Sequence, residues 1–221
     1  MDFITNPPRP GGGGGGSDDG GDEGGEGGGD DGPAVPVIGG QPVVINAQGR
    51  FILANRDGKA TPIPVDEYRR EVIARVLAEA HNLADFRALW IEARKRRQLI
   101  DHLLGDNFSP DVIREVDQMG DFDLYDFFGK HGYHARALRR LERGTEYVHA
   151  NAAWFAGMDA KSAIVLRSLG TQFAQGGTDA LETPSLWAVP EIAQAGGLDA
   201  LRSLGKPADV MQDAKARLFG V

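Results

Sequence analysis

The stretch LADFRALWIEARKRRQLIDHLL, residues 83–104, sets the fold class. Leu83, Phe86, Trp90, Ala93, Ile100 and Leu104 recur at helical spacing, and Asn82 followed three residues later by Asp85 marks the start. Inside it, RKRR at 94–97 is the densest positive charge in the chain. At about 100° per residue, four consecutive cations spread around a helix instead of lining one face. Lys95 points away from the apolar stripe and Arg97 falls almost on it. Glu92 precedes Arg96 by four and Arg97 precedes Asp101 by four, so two of the four charges have local acidic partners. The run reads as the wet side of a core-forming helix, with Arg87, Arg94 and Lys95 as candidate contacts for DNA or an acidic partner.

Working outward, the pattern stays helical from Pro64 onward. Asp66 is placed to cap a helix whose apolar side is Val65, Tyr68, Val72, Val76 and Leu77; Ser109 with Pro110 opens another. Further helices are expected near 122–129, 135–155, 159–175, 185–204 and 207–219. Gly144 and Gly132 are positions where a helix is expected to weaken or break. LRSLG occurs at 166–170 and 201–205 without matching flanks, so it is no solenoid repeat; Gly205 before Lys206 and Pro207 is a stop signal. Before the helices, β-branched runs at 43–45 and 51–53 with turn residues at Gln48-Gly49 and Asp57-Gly58 predict a meander of two or three strands over 37–64, leaning on the helices.

The chain thus divides into a linker at 1–36, a small β-meander at 37–64 and a helical domain at 65–221: a mainly α bundle. From 11 to 32 there are 14 glycines, seven acids, one serine and nothing to bury, so this segment is expected to be disordered. About 22 such residues span on the order of 25 Å. The first 36 residues hold eight acids and one arginine, nearly all of the chain's net charge of -8. The remaining 24 acids and 23 bases nearly cancel, so whole-chain acidity argues neither for nor against a nucleic-acid partner. There is no cysteine, no secretory leader and no apolar run approaching the roughly 18 residues of a membrane span, which predicts a soluble cytoplasmic protein.

A second basic set stands in HARALRRLERGTEYVHANAAWF, residues 134–155. Arg136, Arg140 and Arg143 fall at i, i+4 and i+7 with Arg139 near the boundary, opposite Leu138, Leu141, Val148 and Ala152. On one helix this makes a stripe with no acid of its own, a candidate contact for phosphates or an acidic protein surface. Solvated arginines on an amphipathic helix are the simpler reading.

Enzyme signatures are missing: there is no GxxxxGK[ST], GxSxG or HExxH. The acid-x-lysine triplets at 57–59, 159–161 and 213–215 have no partner acid on a preceding strand. His131 and His134 have no further ligands at metal spacing, so neither metal nor cofactor is expected. Trp90, Trp154 and Trp187 sit in apolar helical patterns and read as core.

In VLRSLGTQFAQGG, residues 165–177, Leu166, Leu169, Phe173 and Gly177 resemble a pattern of two leucines three apart, an aromatic four later and a glycine four after that. DFRALW at 85–90, the DGK turn at 57–59 followed by DEYRREV, then FDLYDFF, an arginine-rich helix and closing LxxLG and LF segments follow in the order of the same family. Phe173 stands where tyrosine is common, and Ala88 and Leu89 separate the arginine from the tryptophan. The family is the C-terminal domain of the motor and restriction (R) subunit of type I restriction enzymes, and the resemblance covers about residues 37–221. It implies a helical domain that docks the motor onto the methyltransferase (M) and specificity (S) subunits and reaches DNA through that complex. The ATP and nuclease sites would lie in preceding domains, so this chain is expected not to be an enzyme by itself. A free-standing helical DNA-binding protein using the arginine stripe is the alternative.

Overall fold

The segment 37–64 pairs as four antiparallel strands, one or two more than the sequence pattern suggested: β1 (Val37–Ile38), β2 (Gln41–Asn46), β3 (Gly49–Arg56) and β4 (Lys59–Pro64), in that order across the sheet. This computed structural model describes residues 37–38, 41–46, 49–56, 59–105 and 109–221; the expected linker at 1–36 and the turn residues 48 and 57–58 lie outside them. Ile52 and Ile63 face each other across β3 and β4 and are both buried. They join the helical core against α1 (Val65–Glu79), and Arg50 ties the sheet to the helices by donating to the Val116 carbonyl at 2.7 Å. A short hairpin with one apolar side needs such a support.

α1 buries Val65, Tyr68, Val72, Ile73 and Val76. It begins directly after Pro64, so Asp66 lies in the first turn and pairs with Arg69 instead of capping. The founding stretch is two helices, α2 (Leu83–Ile91) and α3 (Ala93–Gly105). Asn82 starts α2 as expected, accepting from the Asp85 N–H at 2.9 Å. Glu92 then leaves helical geometry at φ -82°, ψ 105°. That break re-phases everything beyond it: Arg96, Leu99 and Leu103 turn inward, Arg97 is exposed, and Leu104 is 51% exposed.

α4 (Pro110–Val116) and α5 (Leu124–Tyr133) follow. Gly132 does not interrupt α5. It lies against Ile73 of α1, and the helix ends at His134 in left-handed geometry, φ 55°. The expected helix at 135–155 becomes an extended run to Arg139, then α6 (Arg140–Ala150) and α7 (Ala152–Ala156). α8 (Ala160–Ala180) is capped by Asp159 and packs across α6. Gly144, expected to weaken the helix, is where the two backbones touch: a methyl added there would overlap the Gly170 carbonyl oxygen, and one at Gly170 would lie 2.7 Å from the Gly144 oxygen.

The expected helix at 185–204 is fragmented into a 3₁₀ turn at Pro184–Ala188, α9 (Pro190–Gln194), α10 (Gly197–Ala200) and a 3₁₀ turn at Leu201–Ser203. Pro190 cannot continue the preceding turn, and Gly196 and Gly197 take φ of 108° and 58°. Gly205, φ 140°, stops this region before α11 (Pro207–Leu218). Among the described residues no helix is long and apolar enough to cross a membrane.

Candidate functional site

Three segments distant in sequence meet at Asp123, which is 5% exposed. As the residue before α5, it accepts the Tyr125 N–H at 2.9 Å and so caps that helix. Its two oxygens also take the Thr178 hydroxyl at 2.8 Å and the Thr178 N–H at 2.7 Å. Thr178 is available because α8 kinks one residue earlier: Gly177 has φ 68°, ψ -155°, a region essentially reserved to glycine. Trp90 of α2 completes the junction, its indole N–H donating to the Thr178 hydroxyl at 3.1 Å. Around it Phe86, Trp90, Tyr125, Phe128 and Tyr133 form a continuous aromatic cluster, ring centroids 5.2–6.2 Å apart.

Two further buried charge sets brace the helices. Arg96 of α3 pairs with Glu182 at 2.6 Å, donates to the Trp90 carbonyl at 2.8 Å and lies over the Trp90 ring, while Lys215 of α11 closes on the same Glu182. These two cations hold the Glu182 carboxyl below the usual carboxylate range against the opposing effect of burial, its largest single influence. Arg143 of α6, 2% exposed, makes a two-pronged contact with Asp126 of α5 at 2.7 and 2.9 Å. It also donates to the carbonyls of Leu218 and Val221 at 3.1 and 3.0 Å, with its guanidinium 5.0 Å from the Tyr125 ring centre.

The arginine stripe of the sequence pattern is therefore not one exposed face. Arg136 and Arg139 precede α6, so the i, i+4, i+7 relation does not hold, and acids from elsewhere reach two members. Arg136 is 76% exposed and pairs with Glu146 at 3.1 Å; Arg143 is core. Arg139 is exposed, and Arg140 is half-buried with one long contact to the Phe122 carbonyl at 3.4 Å. Of the other candidates, Arg87 donates to the Tyr125 hydroxyl at 3.2 Å, Arg94 is exposed and Lys95 pairs with Glu92 at 2.7 Å. The expected Glu92–Arg96 pair is replaced by Glu92–Lys95, because Arg96 turns into the core. Trp90 is buried as expected, and Trp154 and Trp187 pack partly against the core.

His131 of α5 is half-buried, its ring tilted 48° against Phe127 with ring centres 4.7 Å apart and its Nε2 3.6 Å from an Asp117 oxygen. Burial lowers its pKa, Asp117 opposes this, and Arg69 and Lys130 add to the lowering. The folded state therefore binds this proton less readily than the unfolded chain, whose histidine titrates near about 6.5. Stability is held above that pH and lost as pH falls below it. In urea midpoints between about pH 7 and 5, His131→Gln should show a shallower loss than the parent chain. An equally steep loss would assign the slope to other groups.

No family model, curated protein or solved structure matches the chain. Among the described residues no group of three or more His, Asp or Glu side chains is placed to hold a metal ion.

Proposed function

We propose that this chain is the non-catalytic C-terminal assembly domain of a type I restriction enzyme motor subunit, attaching the DNA-translocating and cleaving subunit to the methyltransferase–specificity core in the cytoplasm. The observation that supports this reading is the junction at Asp123. Segments 85–90, 122–128 and 165–177, which carry the resemblance separately, contribute Trp90, Asp123 and the Gly177 kink to one hydrogen-bonded unit. Leu166, Leu169 and Phe173 of the same pattern are buried in the core. Such a unit fixes the relative placement of α2, α5 and α8, as a domain that works by shape requires.

On this reading the protein's contribution is a rigid helical surface, and the alternative of DNA binding through the arginine stripe loses Arg143 to the core. An excess of the 221-residue chain added to the cognate assembled enzyme should compete with the intact motor subunit for the core. ATP-dependent DNA cleavage should then fall saturably with chain concentration while methylation by the core is unchanged. Cleavage undiminished at large excess, or ATP hydrolysis by the pure chain, would contradict the proposal.

A further inference from the structure

We infer that the outer face of α6, α7 and α8 is the docking surface of this domain, and that it receives an apolar protein segment carrying a carboxylate; the inference deepens the docking reading above and rests on it. Leu141 of α6 is 68% exposed and Ile164 of α8 is 40% exposed, both large aliphatic side chains facing solvent. Helical spacing puts Leu141 in line with Thr145 and Val148, and Ile164 beside Arg167 and Thr171. Because Gly144 and Gly170 bring the two backbones together, the surface between them is a shallow groove of about 270 Å³, with Leu141, Val148 and Ala174 among its walls. No residue lining it is Asp, Glu, Lys or Arg. Exposed Ala152 and Ala156 of α7 add small uncharged side chains, in a chain of which 25% is charged. Exposed aliphatic side chains with depleted charge are the composition of an interface centre.

The fixed charges on this face decide the occupant: Arg167 beside the groove, and Lys161, exposed one turn before Ile164. Arg167 is exposed, its guanidinium lies 5.1 Å from the Phe155 ring centre, and it has no carboxylate partner among the described residues. Glu142 stands at the rim of the groove, one turn before Thr145, but accepts the Arg139 N–H at 2.8 Å as part of the α6 cap, and Glu146 pairs with Arg136. In a two-fold dimer the same patch lies on both sides of the interface. A second copy would therefore bury Arg167 against a surface whose acids, Glu142 and Asp159, are already engaged in capping α6 and α8. Two cations about two turns apart are also too little charge to hold a phosphate backbone, whose binding draws on several. What fits is a partner protein whose apolar side chains cover Leu141 and Ile164 and whose carboxylate meets Arg167, as a charge-assisted pair at the edge of a dry contact.

The test is titration of the chain into the cognate methyltransferase–specificity complex, with folding of each variant checked by circular dichroism. Leu141→Asp and Arg167→Glu should each weaken binding about 10-fold or more, Arg167→Lys should retain part of the affinity, and Lys59→Glu, exposed on β4 away from these helices, should bind within about 2-fold of the parent chain. If the parent binds and Leu141→Asp and Arg167→Glu bind equally well, the face is wrong while the docking reading stands. Absence of parent binding overturns both. Binding that requires DNA and fails steeply with salt replaces the protein partner with nucleic acid and overturns the inference.

Discussion

Replacing Asp126 with alanine should lower the unfolding free energy by about 3–5 kcal/mol, because it leaves the Arg143 guanidinium in the interior without its counter-charge. Asp126 also accepts the Leu138 N–H at 2.8 Å, so the same substitution frees the extended run that leads into α6. Burial pushes the Asp126 carboxyl up in pKa, and the hydrogen bonds and charge of Arg143 pull against that, so the carboxylate relies on Arg143 for its ionised state. The double variant Asp126→Ala, Arg143→Met should recover much of the loss, since an apolar pair of similar volume is often no worse than a buried ion pair. Urea denaturation gives both numbers. A single-variant loss below about 1 kcal/mol would mean that water reaches Arg143 freely.

The second large effect is expected at the kink. A side chain at Gly177 must adopt φ 68°, ψ -155°, and its Cβ would lie 2.5 Å from an Asp123 oxygen and 3.2 Å from Cδ of Arg140. The backbone strain alone is worth about 1–3 kcal/mol, and the overlap adds to it, so Gly177→Ala should cost about 3 kcal/mol or more. The two terms separate in a double-mutant cycle. In an Asp123→Ala background the overlap with the carboxylate is gone and Gly177→Ala should cost the strain and the milder crowding by Arg140, a coupling of about 1 kcal/mol or more. Strict additivity would show that the carboxylate and the kink do not constrain each other.

The helical class was legible because apolar side chains recur at 3.6-residue spacing wherever a helix packs on the core. The breaks were less so. Nothing in IEARK distinguishes Glu92 from a helical residue, yet tertiary packing prefers Arg96 inside, paired with Glu182, over a straight helix that would bring Arg97 inward. Gly144 carried the opposite lesson: glycine lowers helix propensity, but close approach of α8 outweighs a cost of about 1 kcal/mol. Pro190, Gly196 and Gly197 did carry a readable signal for the fragmentation of 185–204, which the apolar spacing masked.

For the candidate site, the resemblance marked Gly177 and the FDLYDFF segment but no pairwise contact. Asp123 was findable as an acid standing before a run of apolar helix positions. Arg143 was not, because its partner Asp126 is 17 residues away and only the fold brings them to 2.7 Å. An arginine in a basic run reads as surface until its acid is located in space, which is why the supposed stripe mixed a core residue with solvent-facing ones.

Sedimentation velocity of the 221-residue chain mixed with the cognate methyltransferase–specificity complex, without DNA or ATP, is the measurement on which the functional reading stands or falls. A heavier boundary that saturates at a fixed ratio of chain to complex is the predicted result. Two unchanged boundaries at micromolar concentrations of a chain shown to be folded would contradict it.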